Sequence, residues 1–280
     1  MDQFELGEKG KIKRIFVVRN KIIPQGSIVH IIQRAPGKEL LFLEKNDYLY
    51  FLHLLKETSA KYNFKVLCFT LMPNHFHILV RFEKQNASEA IKNLCERYAK
   101  YFNIKYQRKG HVFYGAFRAS LCLDETYLLS SSIYIHLNPF KANLCKNLFS
   151  YKWSSISLYA EQISRESFVG YKFILNILNE DIEKARKIYK KLLKDSANLT
   201  MENILENRRA LKIFRNNLVS FLYKIFNKTK RKYLIPEIDI ENKIKELKSK
   251  KRLKKPQEKS ARKYLIEQLL SRGYSIPEIK

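Results

Sequence analysis

Residues 75–82 (HFHILVRF) alternate strictly between two kinds of side chain, and this pattern constrains the fold more than any other part of the sequence. Residues two apart point to the same face of an extended strand. One face of a strand here carries Phe, Ile and Val side chains, which need a packed core, and the other carries His75, His77 and Arg81. We expect this second face to be open, so that water, a metal ion or a phosphate can reach the two imidazoles.

The rest of the first 160 residues mixes strand-like and helix-like periods in a definite order. Alternating or continuous apolar runs predict strands, and apolar residues three and four apart predict helices. The predicted elements are a strand at 27–34, a helix capped by Asp47, a hairpin of 64–72 and 75–82, a helix capped by Ser88, a strand at 111–123 and a helix from Asp124 that ends at Pro139. This order predicts an α+β fold in which helices pack on an antiparallel sheet.

The charge of the chain predicts a polyanionic partner. Lys and Arg number 54 against 27 Asp and Glu, which leaves a net charge of +27. Nucleic acid is the first candidate for such a surface. No apolar run approaches the roughly 20 residues that span a bilayer, and the first 30 residues lack the apolar core of a secretory signal. We therefore expect no membrane association and a cytoplasmic protein that acts at the nucleoid.

The sequence after residue 160 has a different character, so we place a domain boundary there. Residues 161–280 are nearly all helical in pattern and increasingly basic, with an amphipathic helix predicted from Asp181 to Asp195 and dense basic runs at 228–232 and 248–255. Binding of a phosphate backbone and a simple solvated helix face explain such runs about equally well. Residues 260–280 resemble the first half of a helix-turn-helix.

Two pairs of residues carry the chemistry. His75 and His77 suit a divalent ion, although a histidine pair on a wet sheet face is, taken alone, the simpler interpretation. Tyr134 and Asn138 are four apart on a predicted helix and therefore share one face. A phenolic oxygen is a suitable nucleophile for phosphorus, and a metal would polarise the phosphate. Imidazole, carboxamide and water ligands favour Mg²⁺ or Mn²⁺.

Basic residues interleaved with aromatic ones suggest where a single strand of nucleic acid would bind. Aromatic rings stack on bases while cations contact phosphates. Arg81 adds positive charge beside the histidines, and the second predicted helix and the residues after it supply Arg97, Lys100, Lys105, Arg108 and Lys109. A solvated helix face explains this second set equally well. His30 lies between Ile28 and Ile32 on its strand face, which favours a core role.

Several motifs in order resemble a known family. The segments LMPNHFHILV, FYGAFRASLCLDETYLL and YIHLNPFKANL followed by WSS resemble the REP-associated tyrosine transposases of the HUH single-tyrosine superfamily, the IS200-like transposases, from about Ile28 to Ser155. This resemblance implies a ferredoxin-like catalytic domain over residues 1–160. It also implies recognition of hairpin-forming single-stranded DNA and cleavage that leaves a 5′-phosphotyrosine and a free 3′-hydroxyl.

The same resemblance implies roles for individual residues. His75 and His77 match the two metal-binding histidines, Tyr134 matches the nucleophile, and Asn138 matches a third metal ligand. The chain departs from the family where Arg34-Ala35 replaces a frequent R-G, and where Gly115-Ala116-Phe117-Arg118 stands in place of the F-x-G-R-[FY] stretch. Both departures concern substrate binding, and we include Arg118 among the predicted DNA contacts.

The sequence therefore predicts a DNA endonuclease and strand transferase of transposase type, acting on single-stranded or hairpin DNA as a monomer or homodimer. A non-catalytic nucleic-acid-binding regulator on the same fold is the main alternative. A metal-dependent phosphoesterase that uses water is a third, but it would need an acidic base near the histidines, and the local sequence supplies none.

Overall fold

The structure is a computed structural model that describes residues 4–6, 12–14, 23, 25–84, 86–122, 125–161 and 167–197. The predicted basic region beyond residue 197, with the partial helix-turn-helix at 260–280, lies outside the described residues, as does Asp124. The short strands β1 (Phe4–Leu6) and β2 (Ile12–Arg14) pair antiparallel. They belong to a compact unit separate from that of the described residues from Ile23 onward.

The described part of the larger unit alternates strands and helices in the predicted order. Its elements are β3 (Ile28–Arg34), α1 (Lys45–Lys61), β4 (Phe64–Met72), β5 (His75–Phe82), α2 (Ala87–Lys105), β6 (Arg118–Cys122), α3 (Glu125–Lys141), α4 (Ile156–Ala160), α5 (Lys172–Leu178) and α6 (Ile182–Ser196). The last of these confirms the amphipathic helix predicted over 181–195. No described helix is long and apolar enough to cross a membrane.

Four strands form one antiparallel sheet in the order β4-β5-β3-β6. This order confirms the predicted α+β fold and is the ferredoxin-like one, in which the two central strands are the first and third of the repeat. The register places His75 between Met72 and Arg34, and His77 between Thr70 and Ile32. Residues paired in this way share a face of the sheet, so the register decides which side chains accompany the histidines.

Helices cover both faces of the sheet. The apolar face of β5 packs under α1 and α2, with the Phe76 ring 4.8 Å from that of Phe51. The histidine face packs under α3, with the His77 ring 5.5 Å from that of Tyr134. The prediction of an open histidine face is therefore wrong, because His77 is 0% and His75 is 5% exposed beneath this helix.

Several helices and strands begin or end at other residues than predicted. Glu44, not Asp47, is the N-cap of α1, and Asp47 completes a capping box from the third helical position. Asn86, not Ser88, caps α2. The strand predicted at 111–123 shortens to β6, because Gly110 and Gly115 take positive φ angles of 101° and 60° that interrupt an extended chain.

Pro139 does not end α3 as predicted. The helix continues through Lys141 and ends where Asn143 adopts a φ of 56°. A proline in the last turn removes only its own N–H from the helical bonding, and the Leu144 N–H donates to the Pro139 carbonyl in a left-handed cap.

A buried hydrogen-bond network fixes α3 against the rest of the fold. Nδ1 of His136 lies 2.8 Å from the Tyr189 hydroxyl of α6, and its Nε2 lies 2.9 Å from Oγ of Ser155. Ser155 in turn accepts from the Phe69 N–H on the outer edge of β4. Within the described residues, α6 thus packs directly on α3, while the predicted division of the chain near residue 160 stays a prediction.

Replacing Tyr189 by Phe tests this anchoring of α3. The change removes one hydroxyl and leaves His136 and Ser132 without that partner in a buried site. We expect a loss of about 1–3 kcal/mol in the free energy of unfolding, measured by urea denaturation. Tyr62→Phe, at a half-buried tyrosine outside this network, is the control. Equal losses for the two variants would contradict an anchoring role for the network.

Candidate active site

The two histidines of β5 lie side by side and have the same pattern of hydrogen bonding. Their ring centres are 5.0 Å apart and the rings are nearly perpendicular, at 83°. Each Nδ1 atom has a partner: that of His75 lies 2.7 Å from Oδ1 of Asn74, and that of His77 lies 3.0 Å from Nε2 of His30. Both Nε2 atoms are buried and have no hydrogen-bond partner among the described residues. A buried polar atom without a partner is costly, so these two atoms are candidates for binding a ligand.

Burial keeps these imidazoles neutral. It lowers the pKa of His75 to about 4, to which the positive charge of Arg34 adds. It also lowers the pKa of His77 well below the usual value, with further contributions from His75 and His30. A neutral imidazole has a lone pair on one nitrogen, and that form is the one that binds metal ions.

Tyr134 lies on α3 directly above the histidines. Its side chain is 3% exposed, and its ring centre lies 5.5 Å from that of His77 and 5.8 Å from that of His30. Burial raises the pKa of Tyr134 to about 12, although a side-chain hydrogen bond with Asn138 acts in the opposite direction. The hydroxyl is therefore protonated near neutral pH and needs a nearby positive charge to act as a nucleophile.

Asn138 completes the cluster one helical turn after Tyr134. It is half-buried, and its Nδ2 donates to the Tyr134 carbonyl at 3.2 Å. The structure therefore brings together all four residues that the sequence predicted for catalysis and metal binding. Their roles remain predictions.

The donor set of this cluster, two imidazole nitrogens and one carboxamide, suits a divalent metal ion. No group of three or more His, Cys, Asp or Glu side chains that could hold a metal ion exists among the described residues. The protein atoms that could bind an ion in this cluster are the two Nε2 atoms, which have no partner among the described residues, and the carboxamide of Asn138. Such a set leaves positions for substrate oxygens and water.

The register also reveals residues near the histidines that the sequence did not predict as site residues. Arg34 pairs with His75 across the sheet and is half-buried, and its guanidinium stacks 5.3 Å from the ring centre of Tyr114. His30 contacts His77. The sequence signal that could have found both residues is the register of β5 with β3, two strands that are distant in the sequence.

The predicted DNA contacts fall into separate places. Arg118 lies at the start of the edge strand β6, opposite Ile32, on the same sheet face as the histidines. Arg97, Lys100, Lys105, Arg108 and Lys109 lie on α2 or just after it, and α2 packs on the opposite face. The structure does not bring this second group to the histidine cluster.

Three members of the α2 group already have acidic partners within the chain. Arg97 lies 2.6 Å from Glu57, Arg108 lies 2.6 Å from Glu39, and Lys105 contacts both Glu44 and Asp47. Lys100 and Lys109 are exposed. Ion pairing reduces the charge that these side chains offer to a phosphate, and their role as DNA contacts stays a prediction.

Arg81 lies four residues along β5 from His77, in a different setting. It lines a cavity of about 740 Å³ together with Lys56, Lys65 and Lys172. Its guanidinium lies 5.7 Å from the ring centre of Phe173, and its Nε lies 3.4 Å from Glu83. Four cations and an aromatic ring around one cavity form a surface suited to an anionic chain.

Fold and cluster together define an α+β protein of ferredoxin-like topology, in which a helical tyrosine covers a buried pair of histidines. Residues 25–138 match the family model described as "Transposase IS200 like". This segment contains the whole cluster, from His30 to Asn138. The resemblance predicted from the sequence motifs is thus confirmed.

Other comparisons give weaker likenesses. A solved structure of a REP-associated tyrosine transposase bound to a REP hairpin is similar to the chain with a TM-score of 0.43 and 14% sequence identity. The similarity covers 49% of this chain and 80% of that one. No curated protein sequence matches the chain.

The burial of neutral histidines predicts a steep loss of stability in mild acid. Burial lowers the pKa of His30 and of His136 to about 3 and that of His75 to about 4, and it also lowers the pKa of His77. In the unfolded chain these groups take up protons near pH 6.5, so their contribution is present above that pH and is lost as the pH falls below it.

We expect the free energy of unfolding to fall by several kcal/mol per pH unit, an order-of-magnitude figure, between about pH 6.5 and 5. Urea denaturation at closely spaced pH values measures this slope. His30→Gln removes one of the four titrating groups and should reduce the slope by about a quarter. A free energy of unfolding that is constant from pH 7 to 5 would contradict the neutral, buried cluster.

Proposed function

We propose that this protein is a metal-dependent endonuclease and strand transferase for single-stranded DNA, and that it acts on hairpin-forming DNA through a 5′-phosphotyrosine at Tyr134. One observation carries the proposal: α3 holds the phenol of the cluster, Tyr134, against two buried histidines whose Nε2 atoms have no partner among the described residues. The match of residues 25–138 to a transposase family model supports the reaction class. The resemblance to REP-associated enzymes supports a hairpin substrate.

In this proposal His75, His77 and Asn138 hold Mg²⁺ or Mn²⁺. The bound ion would supply positive charge that polarises the scissile phosphate and offsets the charge on its oxygens. The residues of the chain do the rest. The Tyr134 hydroxyl gives up its proton, its oxygen forms a bond to phosphorus, and the bond from phosphorus to the 3′ oxygen breaks.

The reaction is balanced without a further reactant. The departing 3′ oxygen takes up a proton, so one phosphodiester is exchanged for another and the bond energy is kept in the phosphotyrosine. Attack by a second 3′-hydroxyl reverses these steps and joins a new strand. No oxidant, reductant or nucleotide cofactor is required.

Burial of the cluster serves both halves of this reaction. A tyrosine that is 3% exposed admits few free water molecules, which protects a phosphotyrosine from hydrolysis before the second strand arrives. A pKa of about 12 keeps the hydroxyl protonated until positive charge is close. The hydrogen bond from Asn138 to this side chain lowers that pKa and so assists ionisation.

Substitution of Tyr134 tests the nucleophile. Wild-type protein incubated with labelled hairpin oligonucleotide and Mn²⁺ should give a shifted band on a denaturing gel, and Tyr134→Phe should reduce that band to background because no oxygen remains to attack phosphorus. Tyr127→Phe, the same change two turns earlier on α3, is the matched control and should keep the band. His75→Ala should lose it at any Mn²⁺ concentration that saturates the wild type.

Two results would overturn the proposal in different ways. A covalent adduct formed by Tyr134→Phe would show that another residue is the nucleophile. Metal-dependent cleavage without any adduct would favour the phosphoesterase that uses water.

Arg81 and Arg97 give a test of where the DNA lies. We propose that the DNA backbone contacts Arg81, because its cavity gathers four cations and its ion pair with Glu83, at 3.4 Å, is longer than the 2.6 Å pair of Arg97 with Glu57. Arg81→Gln should weaken hairpin binding and lower the slope of log affinity against log salt by about 1. Fluorescence anisotropy at several salt concentrations measures both quantities. Arg97→Gln should change this slope less, and the reverse order would place the DNA on α2.

A further inference from the structure

His30 occupies an unusual place for a residue flanked by isoleucines. It lies in the middle of β3 and is 2% exposed. Its ring centre lies 5.2 Å from that of His77, with an angle of 31° between the planes, and 5.8 Å from that of Tyr134. It therefore contacts a predicted metal ligand and the predicted nucleophile.

The hydrogen bond between His30 and His77 has only two possible arrangements. Nε2 of His30 and Nδ1 of His77 are 3.0 Å apart, and between two neutral imidazoles one nitrogen must donate and the other accept. If His77 donates, its proton is on Nδ1 and its Nε2 has a bare lone pair. If His77 accepts, its proton is on Nε2, where the described residues offer no acceptor. The first arrangement places the proton of His30 on its Nδ1, which is not among the buried polar atoms without a partner in the described part of the chain, whereas the second places a proton on Nε2 of His77, which is.

The hydrogen bond of His75 places its proton on the same ring nitrogen, Nδ1. Its Nδ1 lies 2.7 Å from Oδ1 of Asn74, and an amide oxygen can only accept, so His75 also has its proton on Nδ1 and its lone pair on Nε2. Each histidine of the pair thus has an acceptor of its own behind it, Asn74 for one and His30 for the other. In both rings the nitrogen without a partner among the described residues is Nε2.

His136 shows how a histidine with a purely structural role is bonded in this protein. It is equally buried, at 2% exposed, but both of its ring nitrogens have partners, Tyr189 and Ser155. In His75 and His77, by contrast, only Nδ1 has a partner, and Nε2 has none among the described residues. The contrast separates histidines that are satisfied by the fold from those that are left with a lone pair to offer.

We propose that His30 is a positioning residue that holds His77 in the form protonated on Nδ1, and so keeps the Nε2 lone pair of His77 ready for a divalent cation. This inference rests on the proposed function, because it requires a cation at His77. Partners behind metal-binding histidines act in this way in general, by fixing the tautomer and the orientation of the ring. An aliphatic residue at position 30 would match Ile28 and Ile32 in packing but would provide no acceptor.

The first test needs no metal. Long-range proton–nitrogen correlation spectra of ¹⁵N-labelled, metal-free protein show which ring nitrogen of each histidine carries the proton, and His77→Gln identifies the His77 signal by its loss. We expect His77 to be protonated on Nδ1. In His30→Leu we expect the proton to move at least partly to Nε2. A His77 signal that shows the proton on Nε2 in the wild type would overturn the inference.

The second test measures Mn²⁺ affinity by calorimetry in the absence of DNA. His30→Leu should weaken binding by about 10–100-fold, and His30→Gln, whose amide oxygen can accept from Nδ1 of His77, should recover most of that loss. Thermal unfolding in EDTA confirms that both variants are folded. Recovery by Gln would not follow from a packing role, since Leu fills the space as well.

The outcomes separate this inference from the proposed function. Absence of Mn²⁺ binding by the wild type would overturn the metal site itself. Equal binding by the wild type and by His30→Leu would overturn only the role of His30. Weaker binding by both variants to the same extent would show that the acceptor is not what matters.

Discussion

The packing of α3 on the histidine face of the sheet is the interaction on which the site depends. A strand with the alternation of β5 must bury one face in an apolar core, and in most antiparallel sheets the other face is left to water. Here both faces are covered, so two imidazoles are enclosed together with the tyrosine that α3 carries. The packing of α3 on this face thus brings Tyr134 to the histidines and also shields all three residues from solvent.

Enclosing polar groups in this way has an energetic cost that the structure offsets locally. Nδ1 of each histidine in the pair has a partner, and His136 on α3 is bonded at both nitrogens. The remaining cost lies in the two Nε2 atoms. A cation bound there would convert an unfavourable feature of the folded protein into a favourable one, which is how many metal sites contribute to both stability and chemistry.

The alternation of residues 75–82 predicted the strand, its hairpin partner and the division into two faces, and the order of periods predicted an α+β fold with helices packed on an antiparallel sheet. The open histidine face was wrong because alternation shows which side chains share a face and not what covers it. The covering helix comes from residues 125–141, far along the chain. His30 was assigned to the core for a related reason: its neighbours on β3 are apolar, and its contact with His77 runs diagonally across the sheet, since its direct partner is Leu79.

The basic residues of α2 illustrate another limit of local patterns. Their interleaving with aromatics predicted a nucleic-acid surface, but the acidic residues that pair with Arg97, Lys105 and Arg108 lie between residues 39 and 57. The packing of α1 and of the segment before it against α2 brings them close. The four residues predicted for catalysis and metal binding do lie together, because each pair is close in sequence. The two histidines are two residues apart on a strand, and the Tyr and Asn are four apart on a helix. Local spacing fixed each pair, and the fold then joined the pairs.

Anomalous diffraction from crystals of the protein grown with Mn²⁺ tests the central claim most directly, since it locates the ion without reference to activity. The account predicts one strong peak in contact with Nε2 of both His75 and His77, on the side of the rings that faces Tyr134. A peak elsewhere with none between these two atoms, at a Mn²⁺ concentration that saturates the protein in solution, would contradict it.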